Sequence, residues 1–307
     1  MSLKILILGG TRFIGKAFVD RLCEMDFEIT LSSRRHQLFS RPINQITCTR
    51  SELNGFNLNL EQFDYVFDFN AYSVSDFYEI PEGVPSKRYF LISTNWIYKV
   101  NQNSRFLQSE ISQRDREYVI GKEKLESLVL ERFDEKAMII RLPVVIGKGD
   151  HHKRINFYLK RILTQSTIHV IEANPGVNFI WVDDLIELLS DFVTFEDLNL
   201  KLISITPSKK VTPKMFIREI ADEVSRKVQI VSLQRGIMRN QLNQIYAADP
   251  LLGEVYEVPS DQNLWTIKNY FGIPLTRKLN KTEDFLALSV DQENALLQER
   301  EYIDASY

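Results

Sequence analysis

The chain has 307 residues, 44% of them hydrophobic and 26% charged, with a formal net charge of −3. Those values suit one large or two coupled globular domains, and they argue against a general binder of nucleic acid or membrane surfaces. No apolar run approaches the ~20 residues of a spanning helix, and no cationic-apolar leader precedes the first apolar run, so a cytoplasmic protein is expected. Cys23 and Cys48 are the only cysteines; reduced core thiols are expected rather than a disulfide.

The first fifteen residues are the most informative. Lys4–Leu8 is an apolar run of strand length, Gly9-Gly10-Thr11-Arg12-Phe13-Ile14-Gly15 follows at once, and a helical pattern continues to Met25. Strand, glycine turn and helix form the opening unit of a dinucleotide-binding fold. Gly9 suits the tight turn and Gly15 a close helix–sheet approach. The free N–H groups at the helix start suit a pyrophosphate. Arg12 stands where the common fingerprint often has its middle glycine.

Further strands are expected at Glu28–Ser32, Gln45–Cys48, Tyr65–Phe69, Arg88–Ile92, Ala137–Leu142 and Leu200–Ile205. Helices are expected at Thr11–Met25, Tyr118–Phe133, Ile155–Leu163, Val182–Phe192 and Lys214–Val224, the last opened by Thr212-Pro213. Less regular sequence follows, with helices expected near Leu264–Phe271 and Lys281–Leu288. Such alternation implies an α/β fold, a Rossmann-type doubly wound parallel sheet, with a smaller discontinuous C-terminal substrate domain. The dinucleotide-binding domain is assigned to residues 1–146 plus 181–206, and the substrate domain to 147–180 plus 207–307.

Tyr118 and Lys122 are four residues apart on one face of a helix. A cation beside a phenol favours the phenolate, as an acid/base working at neutral pH requires. On spacing alone a plain surface pair is the commoner reading. Ser93-Thr94 lies at a strand's carboxyl end, where open α/β sheets bind ligands. The same hydroxyls could instead satisfy a turn.

Five motifs in order resemble the extended short-chain dehydrogenase/reductase family, the NAD(P)-dependent sugar epimerases, dehydratases and reductases. They are the glycine turn Gly9–Gly15, Thr94 four residues before Tyr98, Tyr118-x-x-x-Lys122, Arg141-Leu-Pro143 with Gly147, and Val182-Asp183-Asp184. The Arg12-type turn is also similar to an atypical subgroup that includes plastid RNA-binding proteins with the same fold. By this resemblance Tyr118 exchanges the proton of the reacting oxygen, Lys122 holds the nicotinamide ribose and lowers the tyrosine pKa, and Thr94 binds that oxygen. Cofactor contacts would come from Gly9, Thr11, Arg12, Phe13, Ile14, Gly15, Ser33, Arg34, Arg35, Asn70, Ala71, Lys122 and Leu142. The family often has an aspartate beside the adenine after the third strand; Cys48-Thr49-Arg50-Ser51 has none.

An NAD site usually has an acid at the end of the second strand, about twenty residues beyond the glycines. Here Ser32-Ser33-Arg34-Arg35 stands there, and arginine pairs with a 2′-phosphate. The expectation is NADP(H), with NAD as the alternative. The expected activity is a reductase or epimerase acting on a nucleotide-linked sugar or similar carbonyl or alcohol, in a homodimer. The rival is a nucleotide-responsive binding protein, RNA being its candidate ligand. No metal site is expected, since His151-His152 lacks further donors at ligand spacing. His151–Arg154 reads as a loop or a phosphate contact, Arg235 and Arg239 as a substrate-domain loop, and Asp183 and Asp184 as caps. Residues 102–117 read as an irregular loop edging the site.

Overall fold

Strand β1, Leu3–Leu8, runs through the middle of the sheet with Ile5 to Leu8 fully buried. The computed structural model describes residues 2–101, 112–171, 177–194, 200–206, 211–233 and 264–266. Around β1 lie β2 (Phe27–Ser33), β3 (Asn44–Thr47), β4 (Tyr65–Asp68), β5 (Arg88–Thr94) and β6 (Ala137–Leu142). With β10 (Leu202–Thr206) and β12 (Leu264–Thr266) they form an eight-stranded sheet in the order β12-β10-β6-β5-β4-β1-β2-β3, parallel throughout. Near-continuous apolar strands such as Ile5-Leu-Ile-Leu8 and Tyr65-Val-Phe67 are what a sheet covered on both faces requires. The expected doubly wound α/β fold is present.

Alternate residues supply the two faces. Phe67 of β4 stacks on Phe90 of β5 with ring centroids 4.4 Å apart, and meets Phe18 of helix α1 (Phe13–Cys23) at 4.6 Å. On the other face Val66, Tyr89 and Leu91 join a core cluster that includes Leu125, Val129 and Phe133 of the long helix Gln113–Phe133. Period-two alternation therefore glues one helix layer to each side.

Short helices α2 (Val74–Tyr78) and α3 (Trp96–Asn101) follow β4 and β5, and the long helix is α4. It starts five residues earlier than expected. Ser112 is its N-cap: the Ser112 hydroxyl accepts from the Asp115 amide at 3.1 Å and donates to the Asp115 carboxylate at 2.6 Å. The polar run Gln113–Glu117 is thus a solvated helix face rather than a loop. Residues 102–111 lie outside the described residues, as do Arg235 and Arg239.

β7 (Val144–Ile146) and β9 (Phe179–Trp181) form a separate parallel pair. Helix α5 (Arg154–Thr164) precedes β8 (Thr167–Ile171), and α6 (Val182–Thr194) follows β9 directly. Asp183 and Asp184 accordingly sit in the first turn of α6 rather than before it. Acids there favour the helix macrodipole. Helix α7 (Pro213–Glu223) has the expected cap, the Thr212 hydroxyl accepting from the Met215 amide at 3.3 Å. Two-stranded pairing of β8 with β11 (Gln229–Leu233) completes the described elements.

Residues 264–266 are a strand rather than the start of a helix. Leu264-Trp-Thr266 pairs in parallel with Ser204–Thr206, and aromatic and β-branched residues suit that setting. The remainder of that expected helix, and Lys281–Leu288, lie outside the described residues. The chain divides into two compact units. One comprises Met1–His151, Asn178–Pro207 and Tyr256–Thr266; the other comprises His152–Val177, Ser208–Val255 and Ile267–Tyr307. Cys23 and Cys48 are buried and free. Among the described residues no helix is long and apolar enough to cross a membrane, and no group of three or more metal-ligating side chains occurs.

Candidate active site

The sheet reverses its order between β1 and β4, and a crevice opens at the carboxyl ends of its strands there, the usual ligand position in such sheets. The crevice measures about 510 Å³. Its lining includes Gly9, Thr11 to Gly15, Ser32 to Arg35, Cys48, Arg50, Asn70, Tyr72, Asp76, Ile92 and His151.

The glycine turn behaves as its sequence implies. Gly9 has φ +89° and packs so tightly that a Cβ would stand 2.7 Å from Asn70 Cβ. A Cβ on Gly15 would collide with the Gly9 carbonyl and lie 2.9 Å from Gly10 Cα. Helix α1 has no side-chain cap and no acid in its first turn. Its first N–H groups therefore lie beside the crevice without an internal partner, which suits an anion. Phe13, at φ 39°, holds a backbone setting unusual for an aromatic residue; its ring meets His151 edge-on at 6.3 Å.

Arg12, Arg34 and Arg35 are exposed at the rim and, among the described residues, make no ion pair or side-chain hydrogen bond. Arg50 differs. Its two terminal nitrogens clasp the Asp68 carboxylate at 2.9 and 2.6 Å, one of them also reaches Asn70 Oδ1 at 2.7 Å, and its Nε donates to the Asp76 carbonyl at 2.9 Å. Asp68 has no exposed surface and accepts three more bonds, from the Tyr89 hydroxyl (2.6 Å) and the amides of Asn70 (3.2 Å) and Ala71 (3.1 Å). Burial pushes its carboxyl up, and the Arg50 charge and these bonds outweigh burial and hold it below the ordinary range. Asp76, the carboxylate in the lining, is occupied in capping α2, accepting from the amides of Tyr72 and Ser73, each at 2.8 Å.

Thr94, Tyr118 and Lys122 lie outside the crevice lining, as do Ala71 and Leu142. Lys122 is 2% exposed and donates to the carbonyls of Ala71 at 2.5 Å and Ile92 at 2.7 Å. Burial pulls its pKa down to about 8, although Asp68, Glu126 and Asp76 act the other way. Tyr118 is half-buried, and burial, then neighbouring Tyr72, raise its phenol pKa. The Thr94 hydroxyl accepts from the Trp96 amide at 3.1 Å and keeps its own proton for donation. Among the described residues no hydrogen bond joins Thr94, Tyr118 and Lys122. Ser93 is directed elsewhere: its hydroxyl donates to Glu126, which also pairs with Arg141 at 2.6 Å in a buried bridge from α4 to β6.

Comparison with known proteins rests on shape. No family model matches the sequence, and no curated protein matches it either. Among solved structures, dTDP-glucose 4,6-dehydratase of Bacillus anthracis in complex with NAD is 13% identical, covers 95% of this chain and 98% of its own, and has a TM-score of 0.60. UDP-glucuronic acid 4-epimerase of Bacillus cereus, with UDP-glucuronic acid and NAD, is 14% identical over 93% and 99%, at 0.59. RMD of Pseudomonas aeruginosa, complexed with NADPH, is 14% identical over 91% and 96%, at 0.56. The chain shares its fold with these three solved structures. At such low identity the likeness is one of shape alone.

Sequence reading missed Arg50, Tyr72 and His151 as members of the site. Arg50 was legible only as a missing aspartate. Tyr72 directly follows Asn70-Ala71, so its place beside the cofactor loop was within reach. His151 belonged to a run read as one cluster, and that run is divided: His151 lines the crevice, whereas Lys153 is the N-cap of α5.

Proposed function

We propose that the chain is an NADP(H)-dependent reductase or epimerase acting on a nucleotide-linked sugar or similar carbonyl or alcohol. The observation that carries the cofactor reading is the trio Arg12, Arg34 and Arg35. Three guanidinium groups without partners among the described residues stand around the crevice, and no carboxylate stands beside them at the end of β2. A 2′-phosphate matches that charge, and a lone ribose hydroxyl leaves it unsatisfied. Thr11 to Gly15 would hold the pyrophosphate over the uncapped start of α1. Ser33 and the rim arginines would hold the adenosine end, with Asn70 and Ala71 further along.

A nicotinamide dinucleotide, when bound, supplies hydride transfer at the reacting carbon. The chain supplies positioning and a proton. Thr94 donates a hydrogen bond to the reacting oxygen, and Tyr118 gives or takes its proton. The raised pKa of Tyr118 keeps the phenol protonated at neutral pH, the form needed to protonate an alkoxide. Working as a base, it needs the Lys122 charge to favour the phenolate. The solved relatives hold NAD or NADPH, and one holds UDP-glucuronic acid, which supports the class of ligand.

Titration of the purified chain with NADPH and NADH tests the reading. NADPH is expected to bind at least about tenfold more tightly. Equal or tighter NADH binding overturns the cofactor assignment. Tyr118→Phe is expected to bind NADPH normally and lose turnover of any substrate found; full activity would remove Tyr118 from its role.

A further inference from the structure

We propose that Tyr72 is a positioning residue of this site, its ring roofing the Lys122 ammonium at the point where the dinucleotide crevice meets the Tyr118–Lys122 pair. The inference rests on the reading above that Tyr118 and Lys122 form the catalytic pair. An ammonium has three protons to place. Lys122 places two, on the carbonyls of Ala71 and Ile92. The face of Tyr72 also lies against the ammonium, with the ring centroid 5.1 Å from Nζ. Among the described residues no carboxylate forms an ion pair or hydrogen bond with Lys122. Asp68 at the end of β4, Asp76 in α2 and Glu126 in α4 act on it only through space, with Arg50 opposing them. A buried cation without an ion pair gains most from an aromatic face, because no water competes for it.

Tyr72 is well placed for this. Its backbone is pinned by the bond from its amide to Asp76 Oδ2. The residue before it, Ala71, provides one of the two Lys122 carbonyls, so one short segment sets both the ring and the hydrogen bond. The ring also lies 6.4 Å from that of Tyr118 and lines the crevice with 54% of the residue exposed. At the crevice wall one ring faces the nucleotide space, the Lys122 ammonium and the Tyr118 phenol. Arg12 and Arg34 stand close enough to the phenol of Tyr72 to work against the rise that burial gives it.

The test reads Lys122 itself. Protein labelled with carbon-13 at the lysine ε position is titrated by NMR, the Lys122 signal being identified by its loss in Lys122→Met. In the parent protein Lys122 is expected to titrate near 8. Tyr72→Leu keeps bulk and removes the π face, and should lower that midpoint by roughly one pH unit. Tyr72→Phe keeps the face and should restore it. An unchanged midpoint in Tyr72→Leu overturns the proposal. Equal shifts in Leu and Phe overturn it as well, because the hydroxyl would then be the active part. Thermal melting of each variant above about pH 9, where Lys122 is neutral in the folded protein, checks folding, and the exposed position predicts melts there like the parent's. Failure of the catalytic reading shows separately, as an active Tyr118→Phe enzyme, and leaves the Lys122 titration as a sound test of the ring.

Discussion

Arg50 and Asp68 clasp each other in a two-pronged buried bridge that joins the exit of β3 to the end of β4. The side chains are 7% and 0% exposed. Around this bridge hang Asn70, Ala71 and Tyr89, so it fixes the loop that floors the crevice. Removing one partner leaves the other charge buried and unpaired, which costs about 3–5 kcal/mol. Asp68→Asn and Arg50→Met should each lose that order of stability in urea unfolding. A loss under about 1 kcal/mol in both would show that the bridge is structurally dispensable. The same pair gives an acid-side signature. Asp68 has a lowered folded pKa, so its stabilisation is present above the unfolded carboxylate value and is lost as pH falls through the folded one.

Gly15→Ala is expected to weaken both fold and nucleotide binding. Its new methyl meets backbone, the Gly9 carbonyl and Gly10 Cα, rather than a side chain that can swing away. Overpacking of that kind costs about 1–3 kcal/mol. Urea unfolding reads the first effect and NADPH titration the second; normal NADPH affinity would mean that α1 shifts without disturbing the turn.

Arg34→Ala should lower NADPH affinity by about ten- to a hundredfold and leave NADH affinity within a few fold, since a hydrogen bond to a charged group is worth about 1.5–3 kcal/mol. Arg12→Ala is expected to act in the same direction. Parallel losses for both dinucleotides would place these arginines on the pyrophosphate instead.

Lys122 should leave a mark on stability against pH. Its folded pKa, about 8, lies below its unfolded value of 10.5, so between those limits the unfolded chain binds more protons. Stability contributed by this site therefore rises with pH from about 8 upward, by up to roughly 3 kcal/mol for a shift of that size. Above pH 10 the raised tyrosines Tyr89 and Tyr118 oppose the rise, because their unfolded counterparts lose protons first. Comparing parent and Lys122→Met by urea unfolding between roughly pH 7.5 and 9.5, which spans the lower part of the window from about 8 to 10.5 and stays below the tyrosine effects, isolates the effect. A flat difference would mean that Lys122 is not penalised by burial.

The parallel sheet was legible because β1, β4, β5 and β6 carry short apolar runs bounded by polar or glycine residues, and β6 was placed to the residue. Elements resting on long-range pairing were not: three-residue β12 exists because β10 offers it an edge, and β8 and β11 are stable only beside each other. Within the site, the glycine turn and the rim arginines follow from local chemistry. The Arg50–Asp68 clasp joins residues eighteen positions apart, and no local pattern announces it.

By itself the sequence determined the α/β class, the turn geometry at Gly9 and Gly15, and the excess of cationic over anionic groups after β2. These depend on backbone freedom, periodicity and charge, which neighbouring residues decide among themselves. Only the tertiary structure decided that Arg50 is neutralised while Arg12, Arg34 and Arg35 are not, and that Lys122 is sealed beneath Tyr72. Those outcomes depend on which groups are removed from water together, and that is settled by packing between segments distant in the chain.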